Sequence, residues 1–303
     1  MTGARRGHLA MLAFSALVAG SFSLGAMAAP LISPAALTVV RFGLAAAVVG
    51  IAARETGGVP ARAWAAPWRY GVLGGLMALY FVLMFEGLRT AAAVPTAAVF
   101  TLTPVMAAGF GWVLLGQATS TRMALALALG AVGALWVVFR GDLDALVGLH
   151  VGRGEGIYFF GCIAHALYAP MVRKLNRGER AVVFTLGTML AGFVLLSVWG
   201  WRDVLATDWA HLPAIVWICL VYIAVVASAV SFVLLQYGAL HLPASKVMAY
   251  TYLVPSWVIL WELALGHAAP PGRVLVGVAL TGTALALLLK DEAARPEGPA
   301  PRP

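Results

Sequence analysis

The chain alternates long apolar runs with short islands of charge, and it lacks the residue-by-residue alternation of a half-buried strand. Each run is close to the ~20 residues that a helix rising ~1.5 Å per residue needs to cross ~30 Å of hydrocarbon. Read this way, the pattern predicts ten spans: 8–28, 33–53, 69–88, 92–115, 122–139, 155–172, 181–200, 212–238, 243–265 and 274–289. The last is short, but Arg273 and Lys290 flank it and their stems can snorkel to the two interfaces. Runs of this length mean helices, because the strands of a membrane barrel are roughly ten residues of alternating hydrophobicity.

Composition agrees. Of 303 residues, 62% are hydrophobic and 11% charged, and the mean hydropathy is +0.93, which describes an all-α integral membrane protein with no soluble domain between its spans. The net charge of +8 raises the idea of a nucleic-acid partner, but the distribution of the charge excludes it. Thirteen basic residues fall in the N-terminus, the C-terminus and the segments 54–69, 116–122 and 173–180, against five (Arg89, Arg140, Arg153, Arg202, Arg273) in the alternate set. By the positive-inside rule both termini are cytoplasmic. Seventeen Arg to three Lys, with abundant Ala, fits a GC-rich bacterial genome and hence the inner membrane.

Arg5, Arg6 and the Ala26-Met27-Ala28 triplet imitate a cleavable signal, yet Leu9 to Ala29 exceeds the roughly 7–15 residues of a signal's apolar region, so it reads as the first span. Cys162 and Cys219 fall inside spans without CxxC spacing or a His cluster; no disulfide, metal or cofactor is indicated.

Ten spans divide as five and five. Phe81-Val82-Leu83 recurs as Phe232-Val233-Leu234, Gly87 as Gly238 and Pro104 as Pro255, all 151 residues apart, with nine identities over the 34 positions from 81 to 114. Chance in so apolar a chain gives about three or four. Five is odd, so the second copy enters from the opposite side: the repeats are inverted, related by a pseudo-two-fold axis in the membrane plane. The first covers 8–139 and the second 155–289, followed by a disordered cytoplasmic tail, 290–303.

Pro34 with Arg41 (SPAALTVVRF), the run FVLMFEGLRTAAAVPTAAVFTLTP and its counterpart FVLLQYGALHLPASKVMAYTYLVP make the chain resemble the EamA type of the drug/metabolite transporter superfamily. That resemblance implies two tandem five-helix repeats and secondary transport. Where such proteins often close the fourth and ninth spans with Leu-Gly-Glu, this chain has Leu115-Gly116-Gln117 and Leu265-Gly266-His267, so no role is carried over for that glutamate.

An ionisable side chain costs at least ~2.5–3.5 kcal/mol at the centre of a membrane helix, so each needs water, a partner or a use. Arg41 lies too deep in span two to snorkel easily; it either anchors carbonyls of neighbouring helices or holds an anionic group. Lys246, three residues after Pro243, either snorkels to the cytoplasmic face or shares a cavity-lining stripe with Tyr250 and Trp257. Glu86 is three residues from Arg89 and suits an interfacial salt pair, whereas Glu262 has no such neighbour; either is a candidate proton carrier. Tyr80, His165, Tyr168, Ser228, Ser231, Gln236 and Tyr237 complete the polar set, as ligands or as helix-to-helix hydrogen bonders. The candidate substrate site is therefore Arg41, Tyr80, Glu86, His165, Tyr168, Ser231, Gln236, Lys246, Tyr250 and Trp257.

These features predict a secondary transporter, an exporter of small polar organic metabolites such as amino acids, working by alternating access with protons as a candidate coupling ion. No GxxxxGK[ST] supplies ATP and no GxSxG, HExxH or acidic cluster supplies catalysis. A membrane-embedded enzyme or an assembly protein without transport activity is the alternative.

Overall fold

A computed structural model describes residues 3–144 and 151–293, and the described residues are helical throughout, without a strand. The helices are α1 (Gly3–Ala28), α2 (Pro34–Glu55), α3 (Trp68–Leu88), α4 (Ala93–Phe100), α5 (Thr103–Leu115), α6 (Thr121–Val138), α7 (Arg153–Leu175), α8 (Ala181–Ala206), α9 (Ala214–Val221), α10 (Ser231–His241), α11 (Ala244–Ala249), α12 (Val254–Ala264) and α13 (Val274–Ala293). A π-helical stretch, Tyr222–Val230, makes α9 and α10 one continuous rod. Among the described residues eight helical segments are long and apolar enough to cross a membrane, counting 93–115, 214–241 and 244–264 as one each. Two of the expected spans fall short of that measure: α7, which carries Arg153, Glu155, Arg173 and Lys174, and α13, whose apolar part is Val274–Leu289. The last helix continues to Ala293, so residues 290–293, expected in the tail, are helical; 294–303 lie outside the described residues.

The polarity of the bundle is inside out. Ile51, Val113, Leu125 and Val198 face outward, while Arg41, Thr188, Ser231 and Gln236 are fully buried. In water such a surface would aggregate; in lipid it is the solvated face, and buried polar groups such as the Gln236 amide, which donates to Tyr168 and Thr188, bond across helices.

Prolines set the breaks. Pro104 lies in the first turn of α5 and Pro255 in the first turn of α12, where a missing N–H costs nothing. Each proline has no N–H to donate to a carbonyl of the helix before it, so α4 stops at Phe100 and α11 gives way to a 3₁₀ turn, Tyr250–Leu253. The two breaks face each other across the bundle: the hydroxyls of Thr103 and Thr251 are 3.2 Å apart.

Small residues fix the crossings. Gly87 of α3 meets Gly154 of α7 backbone to backbone, Gly133 of α6 meets Gly277 of α13, and a Cβ on Gly74 of α3 would stand 2.5 Å from the amide N of Gly192 in α8. The order of contacts gives directions. Along α3, residues 80 and 87 meet 161 and 154, so α3 and α7 are antiparallel, whereas 70 and 74 meet 187 and 192, so α3 and α8 are parallel. Likewise α1 runs against the α9–α10 rod, with Gly20 on Tyr222 and Gly7 on Leu242, and α6 runs against α13, with Gly133 beside Thr281 and Gly141 beside Arg273.

At one end of the bundle the segment between α7 and α8 is clasped to the segment between α2 and α3. Arg69, which the charge count treats as an interfacial cation, is 1% exposed: it donates to Leu175 O (2.7 Å), Ala66 O (3.2 Å) and Glu179 Oε1 (2.7 Å). Arg180 completes the clasp by donating to the carbonyls of Thr56 and Gly58. Burial alone would raise the Glu179 carboxyl, but the hydrogen bonds from Arg69 and the Arg177 backbone outweigh it and hold the group below its ordinary 4.5.

Two outcomes follow from this packing. Gly74→Val must push α3 off α8 and should cost about 1–3 kcal/mol, while Gly71→Ala, one turn away with nothing within 4 Å, should melt at or above wild type; thermal melts in detergent check both. Glu179→Gln should cost about 1.5–3 kcal/mol, the worth of a charge-assisted hydrogen bond. Because the folded-state value of Glu179 is depressed, the wild-type advantage should be full above 4.5 and vanish as the pH falls through that lower value, which melts of both proteins across pH 8 to 3 would record.

Candidate functional site

The polar residues of six helical segments converge in the middle of the bundle. Arg41 projects from α2 and is fully buried. Its Nε donates to Ser228 Oγ at 2.6 Å and its Nη2 to the carbonyl of Ala227 at 3.0 Å. Both acceptors sit in the π-helical stretch, where i→i+5 bonding disturbs the regular ladder and leaves a carbonyl open to a side chain. The guanidinium carbon lies 3.5 Å from the centroid of the Phe81 ring, a cation–π contact in a desolvated setting. Nη1 has no partner among the described residues.

Beside it is a closed cavity of about 10 Å³, roughly the room one water needs. Its wall contains Arg41, Ser21, His165 and Ser231, and each contributes a buried polar atom without a hydrogen-bond partner: Arg41 Nη1, Ser21 Oγ, His165 Nδ1 and Ser231 Oγ. Buried orphans of this kind are uncommon, and four on one wall concentrate unmet hydrogen-bonding capacity at a single place. The remainder of the wall is largely aromatic. Tyr80 lies 4.5 Å from the His165 ring and 5.8 Å from Phe100, and its hydroxyl shares a 3.0 Å hydrogen bond with Tyr158.

Of the residues expected at the site, Arg41, Tyr80, His165 and Ser231 meet at this cavity. Tyr168 and Gln236 form an adjoining layer: Gln236 Nε2 donates to the Tyr168 hydroxyl at 2.9 Å, and Tyr168 packs edge-on against Phe232 of the cavity wall. The others are elsewhere. Glu86 pairs with Arg89 at 3.2 Å, exposed at one rim of the bundle, as the spacing suggested. Glu262, which has no basic residue at helical spacing as Glu86 has, lies 2.9 Å from His267 Nδ1, because Gly266 takes a positive φ of 81° and folds the chain back. Lys246 is only 6% exposed, so its side chain is packed within the bundle. The Tyr250 hydroxyl bonds His8 Nδ1 at 2.9 Å and the Trp257 indole reaches Ser15 Oγ at 3.3 Å; the stripe faces α1 and none of its members lines the cavity.

Sequence reasoning missed Ser21 and the rings of Phe14, Phe22, Phe81, Phe100 and Phe232. Ser21 had a faint signal, since Ser21-Phe22-Ser23 interrupts the first apolar run between Gly20 and Gly25. The phenylalanines had none, being indistinguishable in sequence from those that face lipid.

Comparison with known proteins bears on the whole chain. The model of the EamA-like transporter family matches residues 5–139 and 153–290. A curated relative from Bacillus subtilis (strain 168), the "Uncharacterized transporter YyaM", is 26% identical over 265 residues, which is 86% of this chain and 86% of the relative. A chain of known crystal structure superposes with a TM-score of 0.73 at 20% identity, over 97% of this chain and 99% of its own, a likeness of fold alone.

Proposed function

The chain belongs to the EamA-like transporter family and is a multi-pass membrane transporter, and from its geometry we propose that it is an alternating-access exporter of small organic metabolites bearing an acid group, amino acids among them. The observation that carries this reading is the closed cavity where Arg41 of the first half meets the π-helical stretch of the second, with four polar atoms left unsatisfied. A site of that kind at the seam between halves opens to one side or the other as the halves rock.

The helix directions support ten crossings in two inverted repeats. Antiparallel packing of α7 on α3 and of α13 on α6 gives the two less apolar helices the directions that alternate crossing requires, and parallel packing of α3 and α8 agrees. The contacts also exchange under a swap of halves. α3 packs on α7 as the α9–α10 rod packs on α1; α3 on α8 as that rod packs on α2; α6 packs on α13, each the last helix of its half. The mid-membrane breaks before Pro104 and Pro255 occupy equivalent places.

In this reading the chain lies in a bacterial inner membrane with both termini cytoplasmic, and the clasp of Arg69, Glu179 and Arg180 closes the cytoplasmic end. Glu86 and Glu262, each at a rim and each with a partner, are remote from the cavity, so proton coupling through either works at a distance from the substrate. The family and the relative point to a transporter rather than an enzyme.

Orientation is read by maleimide labelling in intact cells: Gly58→Cys should react only after permeabilisation and Thr207→Cys without it, against a silent background, since Cys162 and Cys219 are buried. Labelling of both from one face overturns the ten-span topology. Transport is read in proteoliposomes: saturable uptake of a labelled amino acid, compared with and without a pH gradient, should exceed that of protein-free vesicles, and its absence across the acid-bearing metabolites tried counts against the transport reading.

A further inference from the structure

The cavity differs from a zwitterion site in one respect. Its wall carries one permanent charge, the Arg41 guanidinium, and no carboxylate: the polar remainder is Ser21, Ser231, His165 and the Tyr80 hydroxyl. The unsatisfied set is correspondingly rich in donors: beside His165 Nδ1 it holds Arg41 Nη1 and two serine hydroxyls, all on residues of the one wall. We propose that this cavity binds a single carboxylate head on an apolar, flat body, and that it selects the plain monocarboxylic acid over the amino acid of the same skeleton. The inference rests on the transporter reading of the same cavity and narrows its substrate class.

The head is argued from charge. A buried cation fixed by two hydrogen bonds and one ring face has one edge left, and a carboxylate supplies the acceptor and the counter-charge that edge lacks. Two serine hydroxyls then complete the oxygens' shell. An ammonium on the adjacent carbon would enter beside that same cation with no anion to receive it. The face of Phe81, the ring nearest the charge, is already covered by Arg41 at 3.5 Å, and the other rings of the wall carry no negative charge to offset two cations in one dry space.

The body is argued from the rest of the wall. Phe14, Phe22, Tyr80, Phe100 and Phe232 offer ring faces and edges, with Tyr80 and Phe100 stacked on each other at 5.8 Å. A planar apolar group can replace those ring-to-ring contacts with ring-to-ligand contacts of the same kind as the halves part. The present volume of about 10 Å³ holds no such ligand, so occupancy requires the walls to separate, which ties binding to the rocking motion.

The test uses the full-length protein purified in detergent and four probes of one skeleton: 3-phenylpropanoate, phenylalanine, 2-phenylethylamine and 3-phenylpropanamide. Ligand-induced rise in melting temperature gives a half-saturating concentration for each. The carboxylate should stabilise saturably, phenylalanine should need about tenfold more or worse, and amine and amide should do nothing. Ser231→Ala, whose hydroxyl has no partner to lose in the empty protein, should melt like wild type without ligand and bind the carboxylate several-fold more weakly; Arg41→Lys should abolish the stabilisation. The proposal is overturned if phenylalanine or the amine stabilises as well as the carboxylate, if no probe stabilises, or if Ser231→Ala and Arg41→Lys both bind the carboxylate like wild type. Counterflow of the same probes in proteoliposomes separates the two readings: binding of the carboxylate without flux leaves this site standing and refutes transport, whereas flux with equal affinity for acid and amino acid does the reverse.

Discussion

A guanidinium in the interior of a membrane bundle has no water to fall back on, and everything around Arg41 is arranged by that fact. Three groups from two parts of the chain must reach it: the Ser228 hydroxyl, the Ala227 carbonyl and the face of Phe81. An α-helix keeps its carbonyls for itself, so the rod that offers one has to abandon regular winding, and it does so over Tyr222–Val230. The charge therefore couples the winding of one helix to the position of another. It also holds α2, α3 and the rod at one depth, which puts the cavity there and not elsewhere along the bundle axis.

The geometry of Arg41 bears on both readings that sequence leaves open. Two of its nitrogens bind protein, as an anchor's would, and the third is free, as a ligand site's would be. A planar fork can divide its labour in this way; a lysine ammonium at the same depth presents its donors from one point and cannot.

The fold was legible because lipid imposes few options. Run length suffices to place the helices within a few residues at most of their ends, since apolar stretches in hydrocarbon must be helical and prolines must begin or break them. The site was legible only where a polar residue interrupted an apolar run. Arg41, Tyr80, His165 and Ser231 announced themselves; the phenylalanines did not, because an outward Phe160 and an inward Phe100 read alike. The partner of Glu262 was not legible, for a different reason. Its partner, His267, is brought near by a left-handed glycine beyond the helix end, and helical spacing says nothing about a chain that has left the helix. The burial of Arg69 was not legible, because a count of loop charges does not see that its neighbours offer carbonyls.

The π-helical stretch also sets the α9–α10 rod apart from α3, which is regular α-helix from Trp68 to Leu88. The register of the 151-residue offset runs without a gap from Phe81 and Phe232 onward, and Phe232 is the second residue after the stretch ends. Each i→i+5 turn holds chain that an α-helix would have to expel, so an extra residue is taken up inside the rod while the turns on either side keep their faces. A helix wound in this way changes what it shows at mid-length, here Ala227 and Ser228 toward Arg41, and leaves both of its ends where they were.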